Sequence, residues 1–236
     1  MVIFKIFADW KPSEITSKTL VERNPSQIIV FSGVHIPDKD YIQFKFLEKK
    51  YNSTRSSHRK KIENQIKSTL SEISCAIKLS IKIKIDEFYS SGKLIGDQFL
   101  NSGIYQTVGR KKVKLPNSHT MTLDKFYSLV SIANGFYKLI SELSNQQLEK
   151  FKKECEYDKK IEEIMIYIDF LPFEGEDRKM WDSMKLVIND LEGNLGRLKH
   201  LNAKLGIWMI KQEDKKTIAM NLADWIVELD HRKANP

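Results

Sequence analysis

The first apolar run, "VIFKIFA" at 2–8, is broken only by Lys5. A strand buried on both faces reads this way, which predicts a place in the middle of a sheet. Pro12 and Asn24-Pro25 mark 10–25 as an irregular excursion. "SQIIVFSGVHI" at 26–36 predicts a second strand, ended by Pro37, and a short helix is expected over 40–50. Ile62, Ile66, Leu70, Ile73 and Ile77 then recur at helical spacing, which predicts an amphipathic helix over 59–77. The period changes at "KLSIKIKIDEF", 78–88, where Leu79, Ile81, Ile83 and Ile85 alternate with Lys78, Ser80, Lys82 and Lys84. That is a strand with one buried and one cationic face. A further strand is expected over 103–115, ended by Pro116.

Two helices follow, over 121–142 and 145–162, the second highly charged. "EIMIYIDF" at 163–170 is strand-like again. Met180, Met184, Val187, Leu191 and Leu195 mark a helix to about 200, and "GIWMI" at 206–210 a last short strand. The terminal helix, 216–233, has an apolar stripe of Ile218, Leu222, Trp225, Ile226 and Leu229. Asn221, Asp224 and Glu228 form a second stripe beside it, offset by roughly 60–100°. The order β–β–α–β–β–α–α–β–α–β–α predicts a mixed α/β fold, one domain over 1–236 with a helical insertion around 121–162.

Composition supports a packed core: 236 residues are 41% hydrophobic, with 12 Phe and 4 Trp, which excludes whole-chain disorder. Neither a basic leader nor a run of roughly 20 apolar residues appears, so a cytoplasmic protein away from membranes is expected. Cys75 and Cys155 lack CxxC spacing and read as inert thiols in a reducing compartment. Formal net charge is +8, but it is uneven. Residues 1–120 hold 21 basic and 11 acidic side chains, and the remainder 18 and 20. A polyanionic partner fits that excess, because each neutralised phosphate releases counterions; a lysine-rich solvated surface is the plain alternative.

Against this background three aspartates stand out: Asp9 after the first strand, Asp169 after another, and Asp224 beside the buried stripe of the last helix. Carboxyl ends of strands gather at one edge of an open α/β sheet, where ligands bind. Three carboxylates meeting there without basic partners would repel, and Mg²⁺ or Mn²⁺ would relieve the repulsion. Two such ions, about 3.5–4 Å apart, activate water and stabilise a leaving oxygen in phosphodiester cleavage. Equally, an aspartate after a strand is commonly a turn or cap residue, and one on an amphipathic helix is commonly solvated.

On "FKIFADW" with Asp9, "IIVFSGVHIP", "IMIYIDF" with Asp169 and "MNLADWI" with Asp224, the chain resembles the RNase H-like superfamily. It is most similar to an uncharacterised bacterial branch whose first strand ends in Asp-Glu-Ser-Gly and whose last helix carries Leu-Ala-Asp. The resemblance implies an RNase H-like sheet flanked by helices, with Asp9, Asp169 and Asp224 as catalytic metal ligands for Mg²⁺ or Mn²⁺. It also implies a hydrolase, a metal-dependent nuclease on DNA or RNA in a defence or mobile-element system. Here Trp10-Lys11-Pro12 replaces Glu-Ser-Gly, so a permissive turn and a fourth carboxylate are gone. Asp86-Glu87, Glu174 and Asp214 are the substitutes on offer.

Basic clusters point to nucleic acid as well. Lys49, Lys50, Arg55, Arg59, Lys60 and Lys61 occur at 49–61 without an acid between them, and Arg110, Lys111, Lys112 and Lys114 fall within five residues. Lys78, Lys82 and Lys84 equally well guard an exposed strand edge against aggregation. P-loop, GxSxG and HExxH motifs do not occur. His35, His58, His119, His200 and His231 lack metal-ligand spacing; His231 reads as an outer proton shuttle or a surface histidine. A second function class stays open beside the nuclease: a degenerate RNase H-like binding or scaffolding subunit, with a protein partner on the 121–162 helices.

Overall fold

The computed structural model describes residues 2–11, 27–36, 59–72, 76–154, 161–168, 178–196, 199, 204–209 and 218–235. The chain runs β1 (Val2–Lys11), β2 (Ile28–His35), α1 (Arg59–Glu72), β3 (Ile77–Lys84) and α2 (Ile85–Asn101). A hairpin and its third strand follow, β4 (Gln106–Val108), β5 (Lys112–Lys114) and β6 (Thr120–Thr122). Next come α3 (Leu123–Ser141), α4 (Asn145–Glu154), β7 (Ile161–Ile168), α5 (Arg178–Leu195), β8 (Lys204–Met209) and α6 (Ile218–Ala234).

The main sheet has the order β3-β2-β1-β7-β8. β1 pairs antiparallel with β2, and β2 with β3; β1 pairs parallel with β7, and β7 with β8. Parallel neighbours need a crossover, and the long stretches before β7 and β8 supply them. The result is a mixed sheet flanked by helices, the architecture that the element order implied. β1 lies at its centre, as the apolar run predicted.

Alternation along β1 decides which helix meets which side chain. Phe4, Ile6, Ala8 and Trp10 all point into the larger core. Phe31 of β2 stacks on Trp10 at 5.6 Å and meets Phe136 of α3 edge-on at 5.0 Å. α3 is buried on every side from Phe126 to Tyr137, with α2 and α5 against it and the sheet beneath. A helix apolar all round belongs inside a protein, and the helical stretch expected over 121–162 therefore contributes its first half to the core. The opposite face of the sheet carries α6, whose Leu222, Ala223, Trp225 and Ile226 pack on Val34, Ile36 and Ile66 of α1.

Several expected boundaries shift. β3 ends at Lys84 rather than 88, because Ile85, Phe88, Gly92, Gly96 and Phe99 form the buried side of α2. Asp86 and Glu87 in its first turn favour the positive end of the helix dipole. The single strand expected over 103–115 is a hairpin, turned at Gly109 with φ +66°, a left-handed value that glycine tolerates. The charged helix is described over Asn145–Glu154, and residues 161–162, expected in it, begin β7. The helix expected at 40–50 and both cysteines lie outside the described residues. Among the described residues no helix is long and apolar enough to cross a membrane.

Candidate carboxylate site beneath the last helix

Phe7, Asp9 and Lys11 of β1 alternate with the core-facing side chains, so they point away from the large core and toward α6. The register extends this face across the sheet: Asp9 stands opposite Ser32 and Ser32 opposite Ser80, while Lys11 stands opposite Val30 and Val30 opposite Lys82. α6 therefore lies over a sheet face that is apolar at one end and polar at the other.

The polar end has two sides. Toward β3, the buried carboxylate of Asp230 accepts hydrogen bonds from Ser32 Oγ at 3.2 Å and Lys78 Nζ at 3.0 Å, and Ser80 Oγ lies 3.2 Å from Ser32 Oγ. Removing Asp230 would leave Ser32 with Ser80 as its hydroxyl partner and take from Lys78 its carboxylate, so this cluster fixes how α6 sits. The helix end is held too. The Asn235 amide accepts the Ile28 N–H and donates to the Ile28 carbonyl, both at 2.9 Å.

Toward β1, Lys11 Nζ lies 3.3 Å from Asp224 Oδ1. Asp9 is buried, with Oδ1 accepting the Trp10 N–H at 2.8 Å. Burial opposes the charge on Lys11, but Asp224 and Asp9 outweigh it, aided by the hydrogen bond to Asp224 and by Glu228. The lysine pKa is thus raised above 10.5, and the ammonium is charged throughout the physiological range. His231 completes this side. Burial of the ring lowers its pKa below 6.5, and Lys11 lowers it further against the pull of Glu228. Its Nε2 is buried without a hydrogen-bond partner among the described residues.

Of the three expected carboxylates, Asp224 pairs with the Lys11 ammonium and Asp9 lies on the same face of β1 as that lysine. Asp169 follows β7 directly and lies outside the described residues. The premise that the aspartates meet without a basic partner is corrected: Lys11 is that partner. Among the described residues no group of three or more Asp, Glu, His or Cys is arranged to hold a metal ion. As for substitutes, Glu87 pairs with Lys138 of α3 at 3.4 Å, on the other side of the sheet, and Glu174 and Asp214 lie outside the described residues.

The basic residues divide similarly. Arg110 and Lys111 form the exposed hairpin turn, with Lys112 and Lys114 exposed on β5 about the buried Val113. Lys61 is exposed on α1, Arg59 and Lys60 open that helix, and Arg55 lies outside the described residues. His35 is a core residue, its Nδ1 2.7 Å from the Lys5 carbonyl and its ring stacked on Phe4 at 4.1 Å. His119 Nδ1 lies 3.0 Å from the buried Ser183 Oγ and ties the loop before β6 to α5.

Lys11 and Asp230 are the residues that sequence reasoning misses. In the sequence Lys11 reads only as part of a replaced turn. Asp230 has a visible signal, since it lies seven residues past Ala223 and four past Ile226 on the same helix side.

No protein-family model and no curated protein matches the chain. Among solved structures, it is similar to RNase HII from Archaeoglobus fulgidus, in its complex with PCNA. The identity is 9% and the TM-score 0.44, over 98% of this chain and 74% of that one.

Proposed function

We propose that this chain binds nucleic acid on an RNase H-like scaffold whose carboxylate site is neutralised from within by Lys11 rather than by a divalent ion. The observation that carries the reading is the Lys11–Asp224 pair at 3.3 Å, with Asp9 close enough to raise the lysine pKa. A cation already supplied by the protein relieves the repulsion for which a metal was invoked. The exposed hairpin cations Arg110, Lys111, Lys112 and Lys114 supply phosphate contacts without a metal. On this reading the chain is a catalytically degenerate binding subunit, and its affinity for an oligonucleotide is the same in EDTA as in Mg²⁺. Titrations of a single-stranded and a duplex oligonucleotide in both buffers test it. Binding that vanishes in EDTA contradicts it.

A second reading has its own support. Asp224, which pairs with Lys11, and Asp9, on the same strand face as that lysine, are two of the three that the resemblance to the Asp-Glu-Ser-Gly branch assigns to metal. Lys11 is about one-quarter exposed. In a Mg²⁺- or Mn²⁺-dependent nuclease, Asp9, Asp169 and Asp224 would be the ligands, and the metal would supply water activation. EDTA-sensitive cleavage of DNA or RNA by the purified wild type, lost in Asp224→Asn, would establish this reading over the first.

A further inference from the structure

The last turn of α6 and the edge strand β3 bring a second set of cations together, which neither reading uses. We infer that Lys82, Lys84 and Lys233 form a phosphate-binding ridge along the sheet edge for the backbone of a nucleic-acid strand. The inference rests on the nucleic-acid reading and extends it to a new surface.

The side-chain face is fixed first. Lys78 reaches Asp230 of α6, so the lysine face of β3 is the α6 face. Alternation puts Lys82 and Lys84 on that face, roughly 6–7 Å apart along the strand. The end of α6 is fixed next. Asn235 clasps both backbone groups of Ile28, and Ile28 is the register partner of Lys84. Lys233 lies two residues before Asn235, so the basic end of the helix is held at the Lys84 end of the strand.

The charges here are unspent. Lys82, Lys84 and Lys233 are exposed and have no ion-pair partner among the described residues. The acids of α6 nearby are committed elsewhere, Asp230 to Lys78 and Ser32, and Glu228 to Arg232 at 2.9 Å. Local explanations exist for each part: edge lysines deter strand pairing, and basic residues suit a helix C-terminus. Neither explains why two elements more than 130 residues apart in sequence leave three uncompensated cations at one corner. The corner also lies next to the carboxylate site. Lys82 and Lys11 occupy the same row of the sheet with one strand between them, about 10 Å apart at ordinary strand spacing.

The test is a Lys82→Gln/Lys84→Gln/Lys233→Gln variant. All three side chains are exposed, so its melting temperature should match the wild type. The slope of log K against log salt should flatten by about two on a single-stranded oligonucleotide, at about 0.7 for each phosphate no longer neutralised. The matching Lys→Arg triple variant should keep the wild-type slope. A Gln variant with wild-type slope and affinity on both single strand and duplex overturns the ridge and leaves the hairpin reading intact. If the wild type binds neither substrate, the nucleic-acid reading fails and the ridge with it.

Discussion

Lys11 stands two positions after Asp9, at the end of β1. Because β1 continues through it, its side chain falls on the same face as Asp9 and extends under α6. The lysine therefore places a positive charge beside Asp224, 3.3 Å away. His231 registers the consequence, since an imidazolium there would face Lys11 and the buried end of the helix, with only Glu228 in its favour. Its folded pKa is lowered, so its contribution to stability is present above pH 6.5 and is lost as pH falls through the folded value. His231→Gln should flatten the decline in stability between pH 6.5 and 5, measured by urea unfolding. An equally steep decline in the variant would show that the ring carries no such penalty.

At the scale of elements, the legible parts are those with a clean period. The Ile/Lys alternation of β3 and the apolar runs of β1, β2 and β7 predict strands in nearly their observed places. Periodicity misses α2 because Gly92 and Gly96 are poor helix formers, and their packing role is invisible without α3. A Cβ on Gly92 would lie 1.8 Å from Ser131 Oγ and 2.8 Å from Ser131 Cα. The hydroxyl can rotate away, but the backbone carbon cannot. Gly92→Ala should therefore push α2 off α3 and cost about 1–3 kcal/mol, seen as a lower melting temperature in a thermal scan. An unchanged melting temperature would mean that the helices do not pack this closely. Of the candidate site, the strand and helix periods place Asp9 on β1 and Asp224 on α6, which packs against that strand, and Asp169 lies outside the described residues. Asp230 escapes because the apolar stripe is centred on Trp225 and Leu229, whereas the buried side includes Ala223, Val227 and Asp230.

Across the whole molecule, charge is sorted in space as well as in sequence. The large core separates the hairpin cations, on the α2–α3 side, from the carboxylate site and the lysine ridge on the α6 side. What the molecule does at that site turns on one question, which cation answers Asp9 and Asp224. The direct measurement is the melting temperature of the wild type and of Lys11→Met, each with and without millimolar Mg²⁺. A ligand that binds only the folded state raises stability by RT ln(1 + [L]/Kd), so an open site must respond. With Lys11 as the internal cation, Mg²⁺ leaves the wild type unchanged and stabilises Lys11→Met, whose carboxylates have no ammonium beside them. A wild type that melts higher in Mg²⁺ and cleaves an oligonucleotide in an EDTA-sensitive manner would contradict the account.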